Sequence, residues 1–277
     1  MTEGGAGETG RQSAAYGRDG TARAVSNPVD IGDLGASLTE EIVSEGVPPL
    51  TEQTRREARE IIARYPRPRS ALLPMLHLVQ SVQGYVSSAG VALCAKELNL
   101  TKAEVGAVVT FYTMFKRRPA GEYLISVCTN TLCGFLGGEE IYAAVQDKLG
   151  VGHDQTTPDG QFTLEHAECL AACDYAPVVT VNYEFFDQET VETTSELIDA
   201  LRQGRRPDPS RGAPLCSFRQ ISREIAGFPD GERTATAVAG LATGKPTLAG
   251  LRLAAERNEA APADPAGGVS PAAGKDA

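Results

Sequence analysis

No run of apolar residues in this chain approaches the roughly 18 that cross a bilayer, so any contact with a membrane is expected to pass through a partner. Positive charge is also short. The formal net charge is −10, and no basic footprint for nucleic acid is present. The acidity lies in residues 1–204, while 205–277 are slightly basic; its ordinary role is solubility. There are only three histidines, His77, His153 and His166, without matching spacing. They do not suit a centre that replaces a cysteine pair with a histidine pair. No G-x-G-x-x-G follows a predicted strand, so no dinucleotide site is expected. The opening MTEGGAGETG lacks a positive start and an apolar stretch and carries Glu3 and Glu8. It reads as neither a secretory signal nor a transit peptide, and the six cysteines are therefore expected to be reduced.

Four of those cysteines carry the chemistry. Cys128 and Cys133 form C-x4-C; after a gap of 35 residues, Cys169 and Cys173 form C-x3-C. Two close pairs on two loops make a four-thiolate pocket, and soft thiolates select iron–sulfur clusters or zinc. Structural zinc sites favour a C-x2-C knuckle, which neither half has. A thioredoxin-type dithiol also needs C-x2-C. C-x4-C opens a plant-type 2Fe–2S pattern, in which four cysteines hold one cluster. The alternative from another class is a zinc-stabilised interaction module. Cys94 falls on the apolar side of a helix and reads as core. Cys216 reads as a spare, exposed thiol unless its segment docks somewhere. His166, close to the second pair, either tunes the site or is an exposed strand-end residue.

The chain length allows one or two domains. Residues 1–50 read as a disordered N-terminal extension: 1–36 are rich in Gly, Ala, Ser and Thr, and Pro48-Pro49 ends the stretch after them. Residues 51–118 read as helices. The first is capped at Thr51 and ends before Pro66; the second runs from Ser70 to Gly84; the third starts at Ser88. The fourth follows a capping box, Thr101-Lys102-Ala103-Glu104. The pattern then changes to a short strand over Tyr123–Cys128, a helix over Gly137–Lys148, and a strand over Phe162–Ala167. A hairpin turns at Asn182-Tyr183, and a last helix covers Thr194–Gln203. This order predicts a small sheet with a helix on each side. Residues 205–277 read as an Ala/Gly/Pro-rich tail. Its exception is Ser217–Phe228, where Phe218, Ile221, Ile225 and Phe228 are spaced as on a helix: a weak nascent helix or a segment that docks on a partner.

The stretch Val109-Thr110-Phe111-Tyr112-Thr113-Met114-Phe115, then Gly121 to Cys133, then Glu165-His166-Ala167-Glu168-Cys169-Leu170-Ala171-Ala172-Cys173 with Ala176-Pro177-Val178-Val179, resembles the 24-kDa 2Fe–2S subunit family (the E-subunit) of NADH–quinone oxidoreductase, respiratory complex I. The resemblance covers residues 51–204. It implies an α+β protein: an N-terminal helical bundle (51–118), then a thioredoxin-like α/β domain (119–204); the termini, beyond the resemblance, are expected from composition to be disordered. Also implied is one 2Fe–2S cluster on Cys128, Cys133, Cys169 and Cys173. FMN and NADH would sit on the flavin- and NADH-binding partner (the F-subunit), among the other peripheral-arm subunits of the complex. The place implied is cytoplasmic, peripheral to the cytoplasmic face of the cell membrane. Matching subunits of NAD-linked hydrogenases and formate dehydrogenases form the alternative. Backbone N–H groups around Thr129–Gly134 are the expected hydrogen-bond donors to sulfur. In one departure, Ala171 stands where the family often has Gly. A left-handed backbone there would cost Ala about 1 kcal/mol.

Overall fold

The computed structural model describes residues 47–240 and 245–259. The extension expected to be disordered over 1–50 lies almost wholly outside them.

Four helices come first: α1 (Glu52–Ile62), α2 (Leu72–Gln83), α3 (Ser88–Leu98) and α4 (Lys102–Phe111). Their ends follow local chemistry. Ser87 caps α3 by accepting from the Gly90 N–H at 3.0 Å. The capping box before α4 is present, with Thr101 accepting from the Glu104 N–H and the Glu104 carboxylate accepting from the Thr101 N–H. Gly84 ends α2 in the left-handed region, φ +79°, where glycine has no Cβ to clash. Ala58, Ile61, Met75, Leu76, Val79, Leu93, Cys94 and Val105 build one core among these helices. Cys94 lies within it as expected, and burial pushes its thiol up to about 12.

A five-stranded sheet follows, in the order β2-β3-β1-β4-β5. The strands are β1 (Tyr123–Cys128), β2 (Gln155–Thr156), β3 (Phe162–Ala167), β4 (Val178–Val181) and β5 (Glu184–Asp187). β1 and β3 run parallel, with Tyr123 opposite Phe162 and Cys128 opposite Ala167. β4 is antiparallel to both β1 and β5. The turn at Asn182-Tyr183 has φ of +49° and +70°, the double left-handed geometry that suits a two-residue hairpin. A one-turn helix α5 (Thr131–Cys133), a π-turn (Gly134–Gly138) and α6 (Glu139–Leu149) connect β1 to β2. α7 (Val191–Arg202) follows β5, capped by Thr190.

The two helices do not flank the sheet. Alternate residues of a strand face opposite sides. Tyr123, Ile125 and Val127 of β1 share one core with Ile141 and Val145 of α6 and with Leu197, Ile198 and Leu201 of α7. Both helices therefore cover the same face. Leu124, on the other face, packs with Cys216, Phe218 and Ile221. The expected arrangement of one helix per side is corrected by this shared core.

What covers that second face is the segment around 217–228, read from sequence as a nascent helix or a segment that docks on a partner. α8 (Phe218–Ile225) is capped by Ser217 and lies against α2. Gln80 Nε2 donates to Ser222 Oγ at 3.3 Å, the Arg219 guanidinium donates to the Ser81 and Val82 carbonyls, and Arg223 pairs with Glu57 at 2.9 Å. Ala226 and Phe228 pack on the core of the first four helices. Cys216 is only 2% exposed, and the expectation of an exposed thiol is corrected: its segment docks on its own chain. α9 (Gly231–Gly240) and α10 (Lys245–Glu256) follow, helical where an irregular tail was expected. Their alanines and the leucines of α10 are good helix formers.

Candidate metal centre

All four cysteines lie at one end of the sheet. Cys128 is the last residue of β1, and Cys133 closes the single turn of α5. Cys169 follows β3, and Cys173 opens a 3₁₀ turn to Tyr175 before β4. Because β1 and β3 are parallel neighbours, with Cys128 opposite Ala167, both cysteine loops leave the sheet at the same end. Cys128 and Cys133 are buried in a small cluster with Ala172 and Val178, whereas Cys169 and Cys173 are exposed.

The pairs are close. Cys169 Sγ and Cys173 Sγ stand 3.6 Å apart. Two thiolates at about 2.3 Å from one tetrahedral metal sit roughly 3.8 Å apart by trigonometry, so this pair is spaced to share a metal. Burial pushes the Cys133 thiol up to about 11, helped by the neighbouring Cys128 and Cys173 sulfurs; the Val178 backbone N–H opposes it. Cys173 is raised by its hydrogen bond with Cys169, then by charge from Cys169, burial and Cys128. Crowded thiols that resist ionising together are what a cation must neutralise, since metal ligation requires the thiolate. The donor set fits a 2Fe–2S cluster in kind and in arrangement: four thiols, in two pairs. Among the described residues no three His, Cys, Asp or Glu side chains gather closely enough to hold a single metal ion. A dinuclear cluster does not call for such a group, because each iron takes two of the four cysteines.

Several contacts that shape the site were not expected from sequence. Asn130 accepts from the Thr131 N–H with its Oδ1 and donates to Glu168 through its amide at 2.7 Å. That second bond ties the first cysteine loop to the second. The Thr129 N–H donates to the Ala167 carbonyl at 3.3 Å, a second tie. Gly134 and Gly138 let the chain coil tightly behind Cys133. A Cβ on Gly138 would lie 2.4 Å from the Cys128 carbonyl oxygen and 2.8 Å from that of Cys133. An Asn two residues after the candidate ligand Cys128 and closely spaced glycines were the available signals.

The expected N–H donors are largely engaged elsewhere: Thr129 on Ala167, Thr131 on Asn130 and Gly134 on the Asn130 carbonyl. Among the described residues, sulfur is reached by the N–H groups of Ala171, 3.4 Å from Cys169 Sγ, of Val178, against Cys133, and of Cys173 itself. Ala171 has φ +56°, so the left-handed backbone considered for that position is the one it adopts. His166 is exposed at the end of β3; its ring lies 4.4 Å from that of His153, and its N–H donates to His153 Nδ1. The plain reading of His166 as a strand-end residue fits this placement.

Residues 58–202 match the family of thioredoxin-like 2Fe-2S ferredoxins. The chain belongs to that family. The NADH-quinone oxidoreductase E-subunit of Mycobacterium tuberculosis is 55% identical over 218 residues, which is 79% of this chain and 85% of the relative. The mitochondrial NADH dehydrogenase (ubiquinone) flavoprotein 2 of Dictyostelium discoideum is 33% identical over 188 residues, 67% of this chain and 73% of that one. A crystal structure of an NAD+-reducing NiFe-hydrogenase in the air-oxidised state aligns with a TM-score of 0.44 at 20% identity, covering 48% of this chain and 23% of its own.

Proposed function

We propose that this chain is the 2Fe–2S electron-transfer E-subunit of a bacterial-type NADH–quinone oxidoreductase. Cys128, Cys133, Cys169 and Cys173 are its ligands, one pair to each iron. The observation that carries this reading is the convergence of two cysteine pairs at one end of the sheet, with Cys169 and Cys173 at a distance that suits sharing one metal. Relatives bearing the same name, matched over 85% of their length, support it, and they favour the quinone oxidoreductase over the hydrogenase and formate dehydrogenase alternatives.

A 2Fe–2S cluster, when bound, carries one electron at a time. The chain's own residues set how that happens. Buried Cys128 and Cys133 anchor the site to β1 and exclude water from its inner side. Exposed Cys169 and Cys173 form the outer side. In the turn around Cys133, Phe135 is 85% exposed, and Leu132 and Leu136 are exposed too, so apolar side chains border the site. There we place the electron donor, the flavin- and NADH-binding partner of the same complex. The N–H groups of Ala171 and Val178 stabilise negative sulfur. We take residues 51–118 as a helical domain and 119–204 as the thioredoxin-like domain that carries the site, with α8 bracing both. Among the described residues no helix is long and apolar enough to cross a membrane. The proposed place is peripheral, on the cytoplasmic face, held there by the other components of the complex.

The test is spectroscopic. The purified chain should be brown, with sulfur-to-iron charge-transfer bands and an EPR signal on reduction. Cys128→Ser, Cys133→Ser, Cys169→Ser and Cys173→Ser should each lose or shift that signal, since serine is a poorer ligand than thiolate. Cys94→Ser and Cys216→Ser should keep it. Colourless protein that carries zinc would sink the reading.

A further inference from the structure

Lys116 is a buried cation close to the candidate centre, outside the proposed ligand set. Its side chain is 5% exposed. The ammonium donates to Asp154 at 3.0 Å and to Glu165 by a shorter bond. Glu165 is itself only 14% exposed at its side chain, and its other oxygen accepts from Ser126 Oγ at 2.6 Å. Burial works against the charge on Lys116, but the two carboxylates outweigh it and raise its pKa. Tyr183 is buried near Glu165, and its hydroxyl has no hydrogen-bond partner among the described residues.

Ser126 and Cys128 are two residues apart on β1 and so face the same side of the sheet. Across the ladder Ser126 pairs with Glu165, and Cys128 pairs with Ala167. The Lys116–Glu165 pair therefore lies one step inward from the ligand Cys128, about 7 Å along the strand. It sits on the side away from α6 and α7, inside protein where charges are weakly screened.

We infer that Lys116 and Glu165 are positioning charges that set the reduction potential of the site in opposite senses. Reduction adds one negative charge. A fixed cation one strand step away favours the reduced state, and the carboxylate beside it opposes that state. The backbone of Lys116 is tied to the helices. Its N–H donates to Gln80 Oε1 at 2.8 Å, and its carbonyl accepts from the Val86 N–H at 2.8 Å. The segment that joins the helices to the sheet thus delivers this charge. The inference rests on the proposal that the four cysteines hold a 2Fe–2S cluster.

The experiment is an EPR-monitored redox titration of the full chain purified with its cluster. Lys116→Met should lower the midpoint, changing the ratio of reduced to oxidised centre at a fixed ambient potential by roughly tenfold, or about 59 mV for a one-electron couple. Glu165→Gln should raise it by a similar factor. The double variant should return towards the wild-type value, and Lys116→Arg should stay within about twofold of it. A role limited to bracing the fold predicts no such opposition of sign. Shifts in the same direction, or no shift beyond about twofold in either single variant, overturn the inference. If Lys116→Met does not retain its cluster, Glu165→Gln and Lys116→Arg decide the matter by the same criteria. Wild-type protein without any cluster would instead refute the reading of the four cysteines.

Discussion

Ala171 lies between two proposed ligands with its backbone at φ +56°, a conformation that costs an L-residue with a Cβ roughly 1–2 kcal/mol. The conformation persists because it aims the Ala171 N–H at Cys169 Sγ. Ala171→Gly removes the steric penalty and keeps the N–H, but it loosens the unfolded chain. The expected net effect is a gain of about 1 kcal/mol in urea unfolding, with unchanged iron content. A loss of stability would show that the alanine methyl packs usefully. Gly138 is the opposite case. Its missing Cβ is where two backbone carbonyls of the ligand loop come closest, and neither can swing aside as a side-chain tip could. Gly138→Ala should force the loop outward, costing about 1–3 kcal/mol as overpacking does. The iron-to-protein ratio should fall with it. Full iron occupancy at wild-type stability would mean that the loop has room to give.

At the scale of elements, α8 holds the first four helices against the sheet. Phe218 is fully buried and packs with Leu124 of β1, its own N–H donates to the Glu122 carbonyl at 2.8 Å, and the other end of α8 is pinned to α1 by Arg223 and Glu57. Phe218→Ala should therefore destabilise the whole chain by about 3–5 kcal/mol. The check is the urea midpoint at constant slope; a drop below 1 kcal/mol would mean that α8 is not part of the cooperative unit. Much else at this scale was legible in the sequence. Thr101 with Glu104, Gly84, and Asn182-Tyr183 fixed two helix ends and a hairpin, because each is a local rule satisfied by neighbouring residues. The two cysteine pairs were legible for the same reason: spacing alone puts each pair on one loop. What stayed hidden depended on distant partners. The helical spacing of α8 was legible, but where it and Cys216 dock was not, because their buried faces match Leu124 and α2, far earlier in the chain. The side of the sheet taken by α7 depends on packing against α6, which periodicity does not encode. The Asn130–Glu168 tie, which closes the site, joins two loops that are adjacent only because β1 and β3 are parallel.

For the molecule as a whole, the helical core contains a titratable group that links stability to pH. His77 of α2 is 3% exposed, rests against the Phe115 ring at 4.9 Å, and has an Nδ1 with no hydrogen-bond partner among the described residues. Burial lowers its pKa from 6.5 to about 4. The folded protein therefore holds His77 neutral, while the unfolded chain takes up a proton near pH 6.5. Stability is favoured wherever both states are unprotonated, above pH 6.5, and it is lost as pH falls from there towards 4, because only the unfolded state gains the proton. A shift of this size corresponds to roughly 3 kcal/mol across that window. Acidic groups also contribute to acid sensitivity: Glu57, held low by its hydrogen bond to Arg223, adds its own loss at lower pH. A difference measurement separates them. His77→Leu keeps an apolar side chain of similar reach against Phe115 and removes only the imidazole. Urea unfolding of wild type and variant at pH 7, 6, 5 and 4, with cluster content matched, should give curves that diverge below pH 6.5. The wild type should lose about 3 kcal/mol more than the variant by pH 4. Parallel curves over that range would mean that His77 finds a proton acceptor in the folded chain, and the acid sensitivity would then belong to the carboxylates alone.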